Sequence, residues 1–174
     1  MHIDRRVWGV AMVSVGLGLV AYAFWSHETD EEKIQRRLGD LTELLRVEEP
    51  NENVVIRTLR IRQGLTELCE PTVQAQIPEL GSLQRGPEGL AAVAARGIRH
   101  FDQLEVTLDS VKVKVEQPQR QARASAVARL LGLRPGHHVE RDERPVDFQF
   151  VHNDQYGWRI QRIDVGTQEG ARRR

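Results

Sequence analysis

At Leu104 the hydrophobic period of this chain changes. Upstream, apolar residues recur every three or four positions. Downstream they alternate with polar ones, so a helical half is followed by a sheet half. In the first half, Ile34, Leu38, Leu41 and Leu45 make one stripe of a helix that opens with the capping box Thr29-Asp30-Glu31-Glu32. Pro50-Asn51-Glu52-Asn53 breaks that pattern, and either asparagine can cap a second helix running to about Cys69. Its expected inner row is Val54, Ile61, Leu65 and Leu68, with Val55 and Leu59 beside it. After Pro71, Thr72 to Ile77 reads as a short strand ended by Pro78. A third helix is expected from Pro87 to Phe101, facing inward with Leu90, Val93, Ala94, Gly97, Ile98 and Phe101.

Past the switch, Leu104, Val106 and Leu108 alternate on one phase and Val111, Val113 and Val115 on the other, which places a bulge at Asp109-Ser110. Ala122, Ala124, Ala126, Ala128 and Leu130 then alternate with Arg123, Ser125, Val127 and Arg129. Turns at Gln117-Pro118-Gln119, Arg134-Pro135-Gly136 and Asn153-Asp154-Gln155 separate a meander that ends in Gly157 to Val165. Three helices, one early strand and a long meander predict an α+β layer packing, with helices on one face of a curved, mostly antiparallel sheet.

Ahead of this domain lies an uncharged run, Val7 to Trp25, in a chain that is otherwise 29% charged. As a helix it would span about 28 Å, close to the hydrocarbon thickness of a bilayer. Arg5 and Arg6 precede it and Glu28, Asp30, Glu31 and Glu32 follow. That charge bias places the N-terminus in the cytoplasm and the domain outside it. Trp8 at one end and Tyr22, Phe24 and Trp25 at the other suit the two interfaces. Ala21-Tyr22-Ala23 resembles a signal-peptidase site, but the apolar run is longer than a signal core and continues past it, favouring a retained anchor. The expected divisions are residues 1–6 in the cytoplasm, 7–25 in the inner membrane, 28–165 as an extracytoplasmic domain and 166–174 as a flexible basic tail.

Acidic residues number 25 against 25 Lys plus Arg, so no overall field marks a nucleic-acid binder. Cys69 is the sole cysteine, which excludes an internal disulfide, and its place at the end of an apolar helix predicts a buried, inert thiol.

The element order, the alanine-alternating strand from Ala122 to Leu130 and the ending Tyr156-Gly157-Trp158-Arg159-Ile160-Gln161-Arg162-Ile163-Asp164-Val165 resemble the NTF2-like superfamily. This superfamily comprises the cone-shaped SnoaL-like and ketosteroid-isomerase-like domains. The resemblance covers about Glu31 to Val165 and implies a cone whose mouth could take a small apolar ligand. It also implies a homodimer, because related sheets often pair face to face. Its isomerase members use an aspartate base and a tyrosine or protonated-acid donor. Here the tyrosines are Tyr22, in the apolar run, and Tyr156, at a hairpin tip, so that donor is not recognisable.

Glu140, Asp142, Arg144 and His152 share the strand phase of Phe148 and Phe150, and Asp142, Arg144 and His152 are the candidate ligand-binding residues of the cone mouth. An arginine beside Asp142 would lower its basicity, so no catalytic residue is assigned. His137-His138 point to opposite faces of a strand and cannot grip one ion together, and His100 suits a helix C-terminus. No metal or cofactor is expected, nor any nucleic-acid partner. The reading that follows is a single-pass membrane protein presenting a non-catalytic NTF2-like domain for protein binding or self-association. The alternatives are a small-molecule binder or isomerase-like enzyme using the cone, and a subunit of an envelope or secretion complex.

Overall fold

The computed structural model describes residues 28–48, 53–78, 84–116, 118, 120–136 and 138–167. The apolar run at 7–25, the tail beyond 167 and His137 lie outside the described residues. Three helices, α1 (Asp30–Leu45), α2 (Val54–Leu68) and α3 (Gly86–Ile98), cover one face of a six-stranded sheet. Its strands are β1 (Cys69–Gln76), β2 (Gln84–Arg85), β3 (Gln103–Glu116), β4 (Gln121–Arg134), β5 (His138–Asn153) and β6 (Gly157–Val165). They are ordered β2-β1-β6-β5-β4-β3. This is the α+β arrangement expected from the change of period, with one parallel pairing, β1 on β6.

The local signals act as written in the sequence. Thr29 accepts from the Glu32 N–H at 3.2 Å while Glu32 accepts from the Thr29 N–H at 2.7 Å, closing the capping box. Asn53 caps α2 by accepting from the Val55 N–H at 2.8 Å. β3 loses register between Asp109 and Lys112, with Ser110 at φ 54°, which is the bulge expected there. It turns Val111, Val113 and Val115 toward the helices, in line with Leu104, Val106 and Leu108.

The alanines of β4 have a packing reason. Ala122 stands opposite Phe150, Ala124 opposite Phe148 and Ala126 opposite Val146. All six are buried, so each small side chain leaves room for a large cross-strand neighbour beneath the helices.

Three expectations need correction. α2 buries its expected inner row at Ile61, Leu65 and Leu68, joined by Arg57, but Val54, Val55 and Leu59 are 46%, 65% and 58% exposed. The helix approaches α1 closely at Gly64, where an added Cβ would lie 2.6 Å from a Leu44 methyl. β1 begins at Cys69, before the expected start, because it docks parallel to β6, and its register breaks between Cys69 and Gln74 around the donorless Pro71. α3 ends at Ile98, and Phe101 instead packs from the following turn against the bare backbone of Gly132 on β4.

Candidate functional site

Between the helix layer and the sheet lies an apolar cavity of about 230 Å³. α1 contributes Leu41, Thr42 and Leu45, α2 Leu65, α3 Leu90, Val93 and Ala94, and every long strand adds aliphatic or aromatic side chains, Phe148 the largest. Thr42 carries the one polar side chain of the lining, and no lining side chain is ionisable. Its hydroxyl donates to the Gly39 carbonyl at 2.8 Å, so toward the cavity it offers only lone pairs.

Alternation places Asp142 and Arg144 on the same concave face, opposite Leu130 and Ala128 of β4. Ala128 lines the cavity, yet neither charged residue does. They turn to each other: Arg144 Nε donates to Asp142 Oδ2 at 2.6 Å, and each side chain is 25% exposed. The second carboxylate oxygen of Asp142 is buried without a hydrogen-bond partner. His152 lies at the far end of β5, about 33 Å along the strand from Asp142. Its ring meets Trp158 edge-on at 5.1 Å. The three residues expected at one mouth therefore do not converge. Glu140, on the same phase, pairs with Arg134.

His138 heads β5 and is exposed, as is His100 in the turn after α3. Among the described residues no three His, Cys, Asp or Glu side chains gather as metal ligands. Cys69 is buried, and desolvation pushes its thiol up to about 12, against the opposing pull of Arg159. It stays protonated and unreactive at neutral pH.

Two polar clusters escaped the sequence reading. Arg159, 9% exposed at its side chain, donates to the carbonyls of Thr66 and Cys69 and lies 3.6 Å from Glu70 Oε1. It ties β6 to the end of α2 and the start of β1. At the start of α1, Asp30 accepts from Trp158 Nε1 at 3.1 Å and pairs with Lys33 at 3.2 Å. No periodicity encodes either one, since each joins residues distant in sequence.

The Trp158 hydrogen bond, ahead of the Lys33 contribution, holds the Asp30 carboxyl below its ordinary 3.8. A depressed folded value means stabilisation that is complete above the unfolded value and lost as pH falls through the folded one. Asp30→Asn should remove this component: its melting temperature should fall less than that of the parent between about pH 5 and pH 2. Equal acid sensitivity of the two in thermal melts would contradict the assignment.

The sheet face turned away from the helices is a lattice of ion pairs. Arg129 bridges Asp109 at 2.7 Å and Glu143 at 3.1 Å, Ser125 bonds Asp147 at 2.6 Å, and Arg162 bonds Asp164 at 2.7 Å. A broad groove of about 590 Å³ opens near the start of β5, rimmed by Arg46, Glu48, Glu105, Leu131, Val139 and Arg141.

No protein-family model matches the sequence, and no curated protein does. Solved structures match the fold. An NTF2-like superfamily protein from Salmonella enterica serovar Typhimurium aligns over 79% of this chain and 89% of its own, at TM-score 0.63 and 12% identity. An NTF2-like protein with a cystatin-like fold from Novosphingobium aromaticivorans aligns over 92% of this chain and 93% of its own, at TM-score 0.64 and 16% identity. Among the described residues no helix is long and apolar enough to cross a membrane. With its three helices on one face of a bulged, mostly antiparallel sheet, the chain has the NTF2-like fold of these structures.

Proposed function

We propose that this chain is a single-pass membrane protein whose NTF2-like domain works by association and not by catalysis. Residues 7–25 hold it in the inner membrane, with the domain outside the cytoplasm, where it pairs with a second copy or engages an envelope protein. One observation carries the non-catalytic reading: the cavity has no ionisable side chain in its lining. General acid–base chemistry needs a titratable group within hydrogen-bond reach of the reacting atom, and the cavity offers none. The Asp142–Arg144 ion pair lies outside the cavity lining.

The test is made on the full chain in its own membrane. It should remain in the membrane pellet after an alkaline carbonate wash, and the domain should be digested when protease is added to spheroplasts. Purified in detergent micelles, it should sediment as a dimer. Release by the wash, protection from protease, or a monomer at every concentration would contradict the corresponding part of the reading.

The cavity itself favours a second reading, binding of a small neutral apolar molecule. Because Thr42 offers only an acceptor, such a ligand would be uncharged and carry at most one donor toward it. 1-Naphthol should then raise the melting temperature while 1-naphthoate does not. Equal shifts, or none, would dismiss this reading.

A further inference from the structure

α2 leaves an apolar ridge in solvent, where Val54, Val55 and Leu59 are joined by Ile56, 60% exposed. These make four of the seven large apolar residues exposed among the described residues, so the exposure is concentrated and not scattered. At about 100° per residue, Ile56 and Leu59 point directly away from the buried row of Ile61, Leu65 and Leu68. Arg60 and Arg62 fall on either flank of the ridge, and both are exposed. The one acid of α2 is Glu67, in its last turn.

We propose that this ridge docks on the surface of the bilayer that holds residues 7–25, with Val55, Ile56 and Leu59 set among anionic headgroups. This rests on the membrane-anchor reading above and names the further contact the domain makes there. A helix with one apolar row and an arginine on each flank is suited to lie in the interface plane. The guanidinium groups reach lipid phosphates while their stems follow the apolar row. Arg60 gives one hydrogen bond to the Arg46 carbonyl, and Arg62 pairs with Glu88 where both side chains are more than half exposed. A guanidinium has five N–H donors and an exposed pair is weakly held, so both arginines keep donors for phosphate.

The tether brings the ridge within reach. Three residues, 26–28, separate the apolar run from Thr29, so α1 begins within about 14 Å of the membrane. α1 and α2 belong to one layer and meet closely where Gly64 abuts Leu44. The layer that carries the tether is thus the layer that presents the ridge, and one bilayer can meet both. α1 turns Glu31, Asp40 and Glu43 to solvent, and those acids favour α2 over α1 as the helix laid on anionic lipid. The ion-pair lattice lies on the far face of the sheet and stays in water.

The test uses the full chain reconstituted in phosphatidylcholine vesicles with and without phosphatidylglycerol. Cys69 is buried and protonated, so a cysteine introduced on the surface takes an environment-sensitive fluorophore alone. In anionic vesicles the probe on Leu59→Cys should emit further to the blue and be quenched by nitroxide carried on the lipid. The probe on Lys112→Cys, on the outer sheet face, should do neither. In R60Q or R62Q the ratio of docked to undocked protein should fall about fivefold, and omitting phosphatidylglycerol, which changes no residue, should lower it further. Quenching indifferent to phosphatidylglycerol and to both arginines would overturn the assignment to anionic lipid. An aqueous emission at position 59, in protein that resists an alkaline carbonate wash, would overturn the docking and leave the anchor standing. A blue-shifted emission that lipid nitroxide does not quench would mean that a second copy or residues 7–25 cover the ridge, and would overturn it equally. Release by the wash would overturn anchor and docking together.

Discussion

Phe150→Ala is expected to remove about 3–5 kcal/mol of stability, the usual cost of deleting a buried ring. Phe150 is 1% exposed, stands opposite Ala122 on β4 and Ile160 on β6, and packs tilted against Phe148 with ring centroids 6.3 Å apart. The alanine across the ladder makes the loss severe, since it is too short to move into the space left behind. A domain of this size commonly has about 5–15 kcal/mol in total, so the variant should be largely unfolded by mild urea. Ala122→Leu added to Phe150→Ala should recover part of the loss, because it refills the same volume from the neighbouring strand. Urea melts of the three proteins decide the matter. A loss under about 1 kcal/mol for Phe150→Ala would mean that the ring does not fill the core.

Arg159→Ala should be comparably damaging for a different reason. The guanidinium is nearly enclosed, donates to two carbonyls that end α2 and begin β1, and sits against Glu70 and the Tyr156 ring. Truncation leaves the Glu70 carboxylate, itself only 20% exposed, without its cation, together with two undonated carbonyls. Breaking one side of such a buried pair costs about 3–5 kcal/mol. Arg159→Lys should recover less than half of that, because an ammonium point charge cannot span two carbonyls and a carboxylate as a planar fork does. Glu70→Gln should cost less than Arg159→Ala, since the arginine keeps its carbonyl acceptors. Near-parental stability of Arg159→Ala would refute the role of this cluster as the tie between β6 and the helices.

These two sites also mark what a sequence can and cannot disclose. The alternation that buries Phe148 and Phe150 is written in neighbouring residues, as are the capping box at Thr29, the bulge at Asp109-Ser110 and the small side chains of β4. Local pattern suffices because each depends on residues a few positions apart. Arg159 reads locally as an outward residue of the last strand. It is drawn inside only because β1 lies parallel along β6 and brings the end of α2 beside it. In α2 the inner row at Ile61, Leu65 and Leu68 is legible from periodicity, whereas the exposure of Val54, Val55 and Leu59 and the contact of Gly64 with Leu44 are set by packing. The candidate site shows the same division. Strand phase correctly put Asp142 and Arg144 on the concave face, but not their closure on each other or the distance to His152. The cavity was legible only as apolar stripes, since its walls come from every layer at once.

The charge-free lining of the cavity and the apolar run ahead of the domain motivate the proposal of a membrane-held domain that acts by association. Co-expression of two full-length copies with different tags, followed by capture of one tag from detergent-solubilised membranes, tests this most directly. The expected result is recovery of the second tag in the same eluate. Persistent recovery of one tag alone, from membranes containing both, would contradict the account.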